Sequence, residues 1–502
     1  MSKYRIRTVS TASGSKAVQV VWYKKKTTKI VKHIGSAKTE DELEQLRAQA
    51  ENYIADYDPQ LSLFAHPIQQ PVSFDQIEAT NVTHNFAREI LLTLADRCGL
   101  SSLDILYRDL AIMRIIEPCS KLRSIKLLEQ YFGVSYTRYL YERFPKLLNK
   151  RSIIENAAVE TAKLFSDDFA LLLYDVTTLY FEAHKPDDDL QARGFSKDDK
   201  SKQPQIVIGL LVTAQGFPLM HEVFKGNTFE GHTMLSIVKT FQNRHKTSQP
   251  IIVADAAMLS KENQKALNAE GYQFIVGARL ANMKRAFISV LCNKLHRKDG
   301  AMIRIPYADS NYDIICTYSD QRYKKSKHEF DKQVERANLL IARKEPGRRA
   351  KFVKKSTESD RPYFFDEELK QKSEQLLGMK GYCTNIPEDI VSNEGIVGYY
   401  HELWRVEQAF RISKSDLRAR PIFHYSHDAI RAHVLICFIA LMISKFIEIK
   451  TGASIRSVRD MLWLVHDINL RDKASNTERL VRTSITPELK QILYSLDIKN
   501  TH

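Results

Sequence analysis

Between residues 169 and 279 the chain alternates apolar strand-like runs with helical runs, and this alternation restricts the fold more than any other feature. FALLLYDVTTLYF (169–181) is rich in β-branched and aromatic residues, and QIVIGLLVTAQG, PLMHEVFKG, PIIVADAAM and YQFIVGARL follow it as further strands. HTMLSIVKTFQNRH and SKENQKALNAEG carry helical periodicity between them. Three strands, helix, strand, helix, strand predicts a mixed sheet with flanking helices, an α/β core. Two of the strands run into an acid, Asp175 and Asp255. If those strands are neighbours, their C-terminal ends present both carboxylates to one spot.

A third acid lies on a later helix, predicted over 398–421 (GYYHELWRVEQAFRISKSDLRARP). Tyr400 is seven residues before Glu407, and Arg411 and Lys414 are four and seven after it, which puts all four on one side of a helix. Taken alone, Glu407 and Arg411 make an ordinary i, i+4 ion pair. With the two Asp residues added, the set becomes a hard, oxygen-only site suited to Mg²⁺ or Mn²⁺. Two such cations about 4 Å apart are what in-line phosphodiester cleavage uses. His401-Glu402 begins like a zinc-protease motif, but Arg405 stands where its second His belongs. His221, His232 and His424 read as structural histidines, and the run Asp187, Asp188, Asp189 as a solvated loop.

A length of 502 residues predicts several structural units. Residues 1–57 read as a basic β hairpin plus a helix capped at Thr39, with ten Lys or Arg and no acid before residue 40. Residues 58–81 read as a linker, 82–166 as a helical DNA-binding or dimerisation region, and 167–280 as the first part of the core. An insertion is predicted over 281–383. Its stretch 321–355 holds thirteen Lys or Arg against four acids, a candidate DNA clamp. The core resumes over 384–449, and 450–502 reads as a helical tail.

The formal charge of +15 favours a polyanionic partner. Six scattered cysteines argue for neither disulfides nor structural zinc and suit a reducing cytoplasm. MSKYRIRTVS has no apolar core, so no signal peptide is expected. The apolar run Val434–Ile443 is about half a membrane span and reads as a buried core helix, so no membrane partner is expected. No nucleotide-binding loop occurs, so no nucleotide cofactor is expected.

YDVTTLYF at Asp175, IVADAAMLSKEN at Asp255 and YHELWRVEQAFRISK ending at Lys414, with GNTFEGHT (226–233) and DLRARPIFH (416–424), together resemble the DDE transposases of bacterial insertion sequences, the group with a YREK signature. The resemblance covers about residues 170–445. It implies a ribonuclease H-like core, with Asp175, Asp255 and Glu407 as the catalytic triad holding two Mg²⁺ (Mn²⁺ able to substitute). It also implies cleavage at terminal inverted repeats, strand transfer into target DNA, and a homodimer in the synaptic complex. Tyr400 matches the signature Tyr and Lys414 the signature Lys. The signature Arg is replaced by Leu403, and Arg405 is turned almost opposite Glu407. Arg411 is better aimed at a phosphate. Tyr400, Arg411 and Lys414, with Arg405 and Trp404 beside them, are the candidate DNA contacts. The competing expectations are a structure-selective nuclease of the same fold, a non-catalytic DNA-binding regulator, and a metal-dependent small-molecule hydrolase that fits the charge poorly.

Overall fold

The computed structural model describes residues 4–12, 14–24, 27–57, 76–137, 140–166, 169–182, 187–194, 203–229, 233–245, 249–258, 261–307, 310–343, 350–355, 363–473 and 476–499. Its strands begin with β1 (Tyr4–Ser10), β2 (Lys16–Lys24), β3 (Thr27–Ala37) and β4 (Ile77–Thr83). Then come β5 (Leu171–Tyr180), β6 (Gln205–Thr213), β7 (Pro218–Lys225), β8 (Ile251–Ala254), β9 (Gln273–Ala278), β10 (Met302–Pro306) and β11 (Asp313–Tyr318). The last are β12 (Val353–Lys355), β13 (Tyr363–Phe365), β14 (Met379–Thr384), β15 (Asp467–Asp472) and β16 (Thr477–Arg482). Helices α1 (Glu40–Tyr57), α2 (Asn85–Ala95), α3 (Ile105–Ile116), α4 (Lys121–Phe132), α5 (Leu140–Arg143) and α6 (Arg151–Ala162) precede β5. Next are α7 (Met234–His245), α8 (Lys261–Ala269), α9 (Arg285–Lys294), α10 (Asp320–Arg343) and α11 (Glu367–Gln375). The C-terminal helices are α12 (Asn393–His401), α13 (Trp404–Arg411), α14 (His427–Thr451), α15 (Ile455–Trp463) and α16 (Pro487–Ser495).

Two compact units result, one of residues 1–81 and 468–481, the other of residues 82–467 and 482–502. In the first, β1, β2 and β3 form an antiparallel meander, one strand more than the expected hairpin. Leu43 and Ala50 of α1 bury against Val18, Val20 and Ala37. Thr39 caps α1: its Oγ1 accepts the Glu42 N–H at 3.3 Å, and Glu42 Oε2 accepts the N–H groups of Lys38 and Thr39 at 2.9 and 3.3 Å. This reciprocal capping box satisfies donors that a helix start leaves unpaired, and the two N–H bonds lower the Glu42 carboxyl pKa.

The predicted linker 58–81 does not hold as a linker throughout. Residues 58–75 lie outside the described residues, but β4 is the edge of a three-stranded sheet in the order β16–β15–β4. Its partners lie in the tail expected to be wholly helical. Thr80 Oγ1 donates to the Asn469 carbonyl at 3.2 Å, and the Lys473 N–H to the Gln76 carbonyl at 2.9 Å.

The second unit is built on an eight-stranded mixed sheet in the order β10–β11–β14–β9–β8–β5–β6–β7. β8 runs parallel to both β5 and β9, and the remaining pairs are antiparallel. β6 is buried along its whole length, which explains its near-continuous apolar sequence. Helix α7 packs on one face, where Tyr174 Oη donates to Thr233 Oγ1 at 2.7 Å. Helices α12, α13 and α14 pack on the other. α14 is long and apolar enough to cross a membrane, yet 89% of its most apolar window is buried inside this unit, as a core helix requires.

Residues 281–383, expected to interrupt the core, instead supply it with β10, β11 and most of β14. Among its described residues, α10, α11 and the small β12–β13 ribbon stand off the sheet, with Phe330, Ala337, Phe352 and Leu377 forming their own core.

Candidate active site

The last register pair between β5 and β8 is Tyr174 with Ala254, so Asp175 and Asp255 come next on neighbouring parallel strands. Asp175 does not end its strand, as expected from sequence. It sits inside β5, which continues against β6 after the pairing with β8 has stopped. Gly277 of β9 is next in line beyond Asp255, and it pairs with Tyr382 of β14. Residues in register share a face of a sheet, and neighbouring strands lie about 4.8 Å apart. Asp175, Asp255, Gly277 and Tyr382 therefore form one row across four strands. Asp175 is half-buried and Asp255 exposed. Oδ1 of Asp255 accepts the Ala256 N–H at 2.7 Å.

Two helices bring the remaining groups. α12 starts at Ser392, whose Oγ accepts the Gly395 N–H at 3.1 Å, and it packs on β8 and β9. Near its end Tyr400 is buried, and its hydroxyl donates to Asp255 Oδ1 at 3.4 Å. Its ring meets Tyr382 edge-on, 5.0 Å between centroids. A Cβ at residue 277 would lie 2.6 Å from the Tyr400 oxygen, so this approach needs glycine there. Burial, then the Asp255 charge, raises the Tyr400 pKa, and the phenol keeps its proton.

The single helix predicted over 398–421 is broken. Leu403, Arg405 and Val406 donate their N–H groups three residues back, a tight turn separating α12 from α13. After Arg411 the chain widens into a π turn over Ile412–Asp416. The cause is packing: Leu403, Val406, Ala409 and Phe410 are buried, with α13 lying against β5 and β6. Glu407 and Arg411 stay exposed, and Lys414 is half-buried in the π turn. Glu407 acts electrostatically on Tyr400 together with Asp255, which puts it on the Asp255 side of the sheet. Among the described residues, no three His, Cys, Asp or Glu side chains converge closely enough to enclose a metal ion. Asp175 and Asp255 thus share a row and Glu407 lies within electrostatic reach of Tyr400, without the three closing into a cage.

Of the other candidates, Arg411 has no hydrogen-bond or ion-pair partner among the described residues. Arg405 is ion-paired with Glu402, and its Cβ packs on the Gly216 turn, away from the acid row. Trp404 is 49% exposed, not core, with the Arg405 guanidinium 5.0 Å from its ring centroid. His221 is buried against Phe438 and His424 stacks on Phe144, as structural histidines would; His232 lies outside the described residues. Asp188 accepts the N–H groups of Leu190 and Gln191 at 2.7 and 2.6 Å within its loop.

One cation was not foreseen. Lys380 of β14 lies two residues from Tyr382, on the same face, with its ammonium 4.5 Å from the Tyr400 ring centroid and 5.3 Å from that of Tyr382. Burial, then Arg322, lowers its pKa, while Asp255 and Glu407 act in the opposite sense. Its signal was the alternation in MKGYCT, which puts Lys and Tyr on one face; the acids they meet are more than a hundred residues away or on another helix.

The sheet places Asp175 and Asp255 in register on adjacent parallel strands, with α12 and α13 packed against the same sheet. Residues 169–443 match the family described as Transposase DDE domain. With more than half its length matched, the chain belongs to that family of polynucleotidyl transferases. The chain is also similar to a solved structure of the piggyBac transposase synaptic complex with hairpin DNA, at 13% identity and a TM-score of 0.37, covering 81% of this chain and 74% of that one. No curated protein matches the sequence.

Proposed function

We propose that this protein is a DNA transposase of the bacterial insertion-sequence kind, with a ribonuclease H-like core, that cuts at the terminal inverted repeats of its element and joins the freed ends to target DNA. The observation that carries this reading is the in-register placement of Asp175 and Asp255, with Glu407 on the helix above, in a chain of the Transposase DDE domain family. The donors are all carboxylate oxygens, which fits two Mg²⁺ or Mn²⁺ ions and no softer metal. Asp175 and Asp255 would hold them from the sheet and Glu407 from α13. Bound there, the ions supply Lewis-acid activation of the attacking oxygen and charge stabilisation at the leaving oxygen.

The chain's own residues do the rest. Tyr400 fixes the Asp255 carboxylate through its hydroxyl. Arg411 and Lys414 hold phosphates of the transposon end, with Trp404 exposed for a base to stack on. In the first step a water oxygen attacks phosphorus and the P–O3′ bond breaks, freeing a 3′-hydroxyl. That hydroxyl then attacks a target phosphorus and displaces the target's 3′ oxygen. Each joining step conserves the number of phosphodiester bonds, so no nucleotide is consumed. A second copy of the chain holds the other end, and the reactions occur in the cytoplasm, at the nucleoid. The basic β1–β3 meander and α10 would track DNA backbone.

The test is to incubate purified protein with Mg²⁺ and a labelled duplex of its flanking inverted repeat. Cutting at the repeat tip followed by joining into plasmid is expected. Cutting without joining would leave the nuclease reading, and binding without cutting the regulator.

A further inference from the structure

We infer that Lys380 is the phosphate-holding cation of this site, its ammonium donating to a non-bridging oxygen of the phosphodiester that is cut. The inference rests on the DNA-cleaving reading above and adds the residue that grips the scissile group.

Topology puts Lys380 in position. β14 runs antiparallel to β9, so its first residues stand beside the last residues of β9, at the end of the sheet where the parallel pairing of β8 with β5 and β9 stops. Ligands of open α/β sheets bind in the crevice outside the carboxyl ends of such strands. Tyr382 is in the row with Asp255, and Lys380, two residues earlier, stands one step further toward that crevice on the same face.

The contacts of Lys380 point the same way. The Tyr400 and Tyr382 rings hold it by cation–π attraction, which uses none of its three N–H donors. Its ammonium lies within electrostatic reach of Asp255 and Glu407, yet makes no ion pair or hydrogen bond with either or with any other described residue. Lys445 shows what an architectural lysine does here: its ammonium closes on Glu448 at 2.6 Å and on Gln408 at 3.4 Å. Lys380 is steered by aromatic faces to a half-buried place where its donors remain available. An anionic tetrahedral oxygen between the carboxylates and this ammonium would take them up, and charge builds on that oxygen during displacement. Arg322, in the first turn of α10, is exposed and electrostatically coupled to Lys380, adding positive potential at the same mouth.

The experiment compares wild type, Lys380→Ala, Lys380→Arg and Asp255→Ala as full-length proteins. Single-turnover cleavage of the labelled inverted-repeat duplex is measured in Mg²⁺. Binding of the same duplex is measured across a salt series without divalent ions. Lys380→Ala is expected to cut about a hundredfold slower and to lower the slope of log affinity against log salt by about one. Lys380→Arg is expected to stay within about tenfold of wild type, because it keeps charge and donors. Cleavage at the wild-type rate by Lys380→Ala, or an unchanged salt slope, overturns the inference. So does an Arg variant as slow as the Ala variant, which would make Lys380 a packing residue. If wild type cuts and Asp255→Ala does not, a failure at Lys380 concerns this inference alone. If wild type itself does not cut, the DNA-cleaving reading falls, and this inference with it.

Discussion

Around Arg114, Lys121 and His433 the basic groups are buried inside the second unit, and both terminal nitrogens of Arg114 turn to the chain's own groups. It donates to the carbonyls of Leu417 and Arg418 at 3.5 and 3.2 Å and meets His433 Nδ1 at 3.3 Å, while His433 Nε2 lies 2.9 Å from the Ala419 carbonyl. Around Asp255, Tyr400 and Lys380 the groups are half-open, and the cation makes no polar contact among the described residues. The first cluster pins the backbone of residues 417–419, which follows the π turn. The second leaves charge facing a crevice. Arg114, closed on the chain's own carbonyls in a buried place, builds architecture, and Lys380, with its donors uncommitted beside an open crevice, can meet a substrate.

The sharpest way to break this contrast is to remove a carboxylate from the open cluster. Asp255→Ala is expected to lower DNA cleavage on the order of 10⁴-fold with little change in melting temperature. An equal loss of stability and activity would make the row architectural too. The reverse result is expected in the sealed cluster. Arg114→Met should cost about 3 kcal/mol in denaturant unfolding, because two carbonyls and a histidine nitrogen lose their buried partner. Between these lies Gly277→Ala, whose Cβ would meet the Tyr400 oxygen at 2.6 Å. It should cost about 1–3 kcal/mol, and slow cleavage by displacing the phenol from Asp255.

How legible these two clusters were in the sequence differs for a physical reason. The strand runs through Asp175, Asp255 and Phe274, the helices between them, the Thr39 cap and the apolar α14 are local patterns, and each is found where periodicity or capping put it. Pairings across long sequence separations were not legible. β4 joins β15 almost four hundred residues later, and Gly277 meets Tyr382 across a stretch whose basic composition reads as an insertion. Neither Gly nor Pro marks the break after His401; it follows from burying Leu403 and Val406 against the sheet. The acids were visible beside apolar strand runs, although Asp175 proves to lie inside its strand, not at its end. Lys380 was invisible as a partner because only the sheet order brings it to them.

Smaller effects sharpen the comparison from the sealed side. His221 and His433 are wholly buried, and desolvation, helped by nearby Arg151 and Arg114 respectively, pushes both well below the ordinary 6.5. The unfolded chain therefore takes up protons at these residues that the folded chain does not, and stability is lost as pH falls below that ordinary value. Each histidine contributes up to about 1.4 kcal/mol per pH unit, and urea unfolding between pH 7 and 5 reads it. Replacing either with Phe should flatten the slope. Lys121 is buried with no hydrogen-bond partner among the described residues, so Lys121→Met should be neutral or stabilising by about 1 kcal/mol.

The central claim is that Asp255 binds a divalent ion that the DNA chemistry needs, and Asp255→Cys tests it most directly. Thiolate is a poor ligand for Mg²⁺ and a better one for Mn²⁺. Measured as cleavage of the inverted-repeat duplex, the variant should be inactive in Mg²⁺ and regain a substantial part of wild-type activity in Mn²⁺. Activity in Mg²⁺ equal to wild type, or no difference between the two ions, would contradict the account.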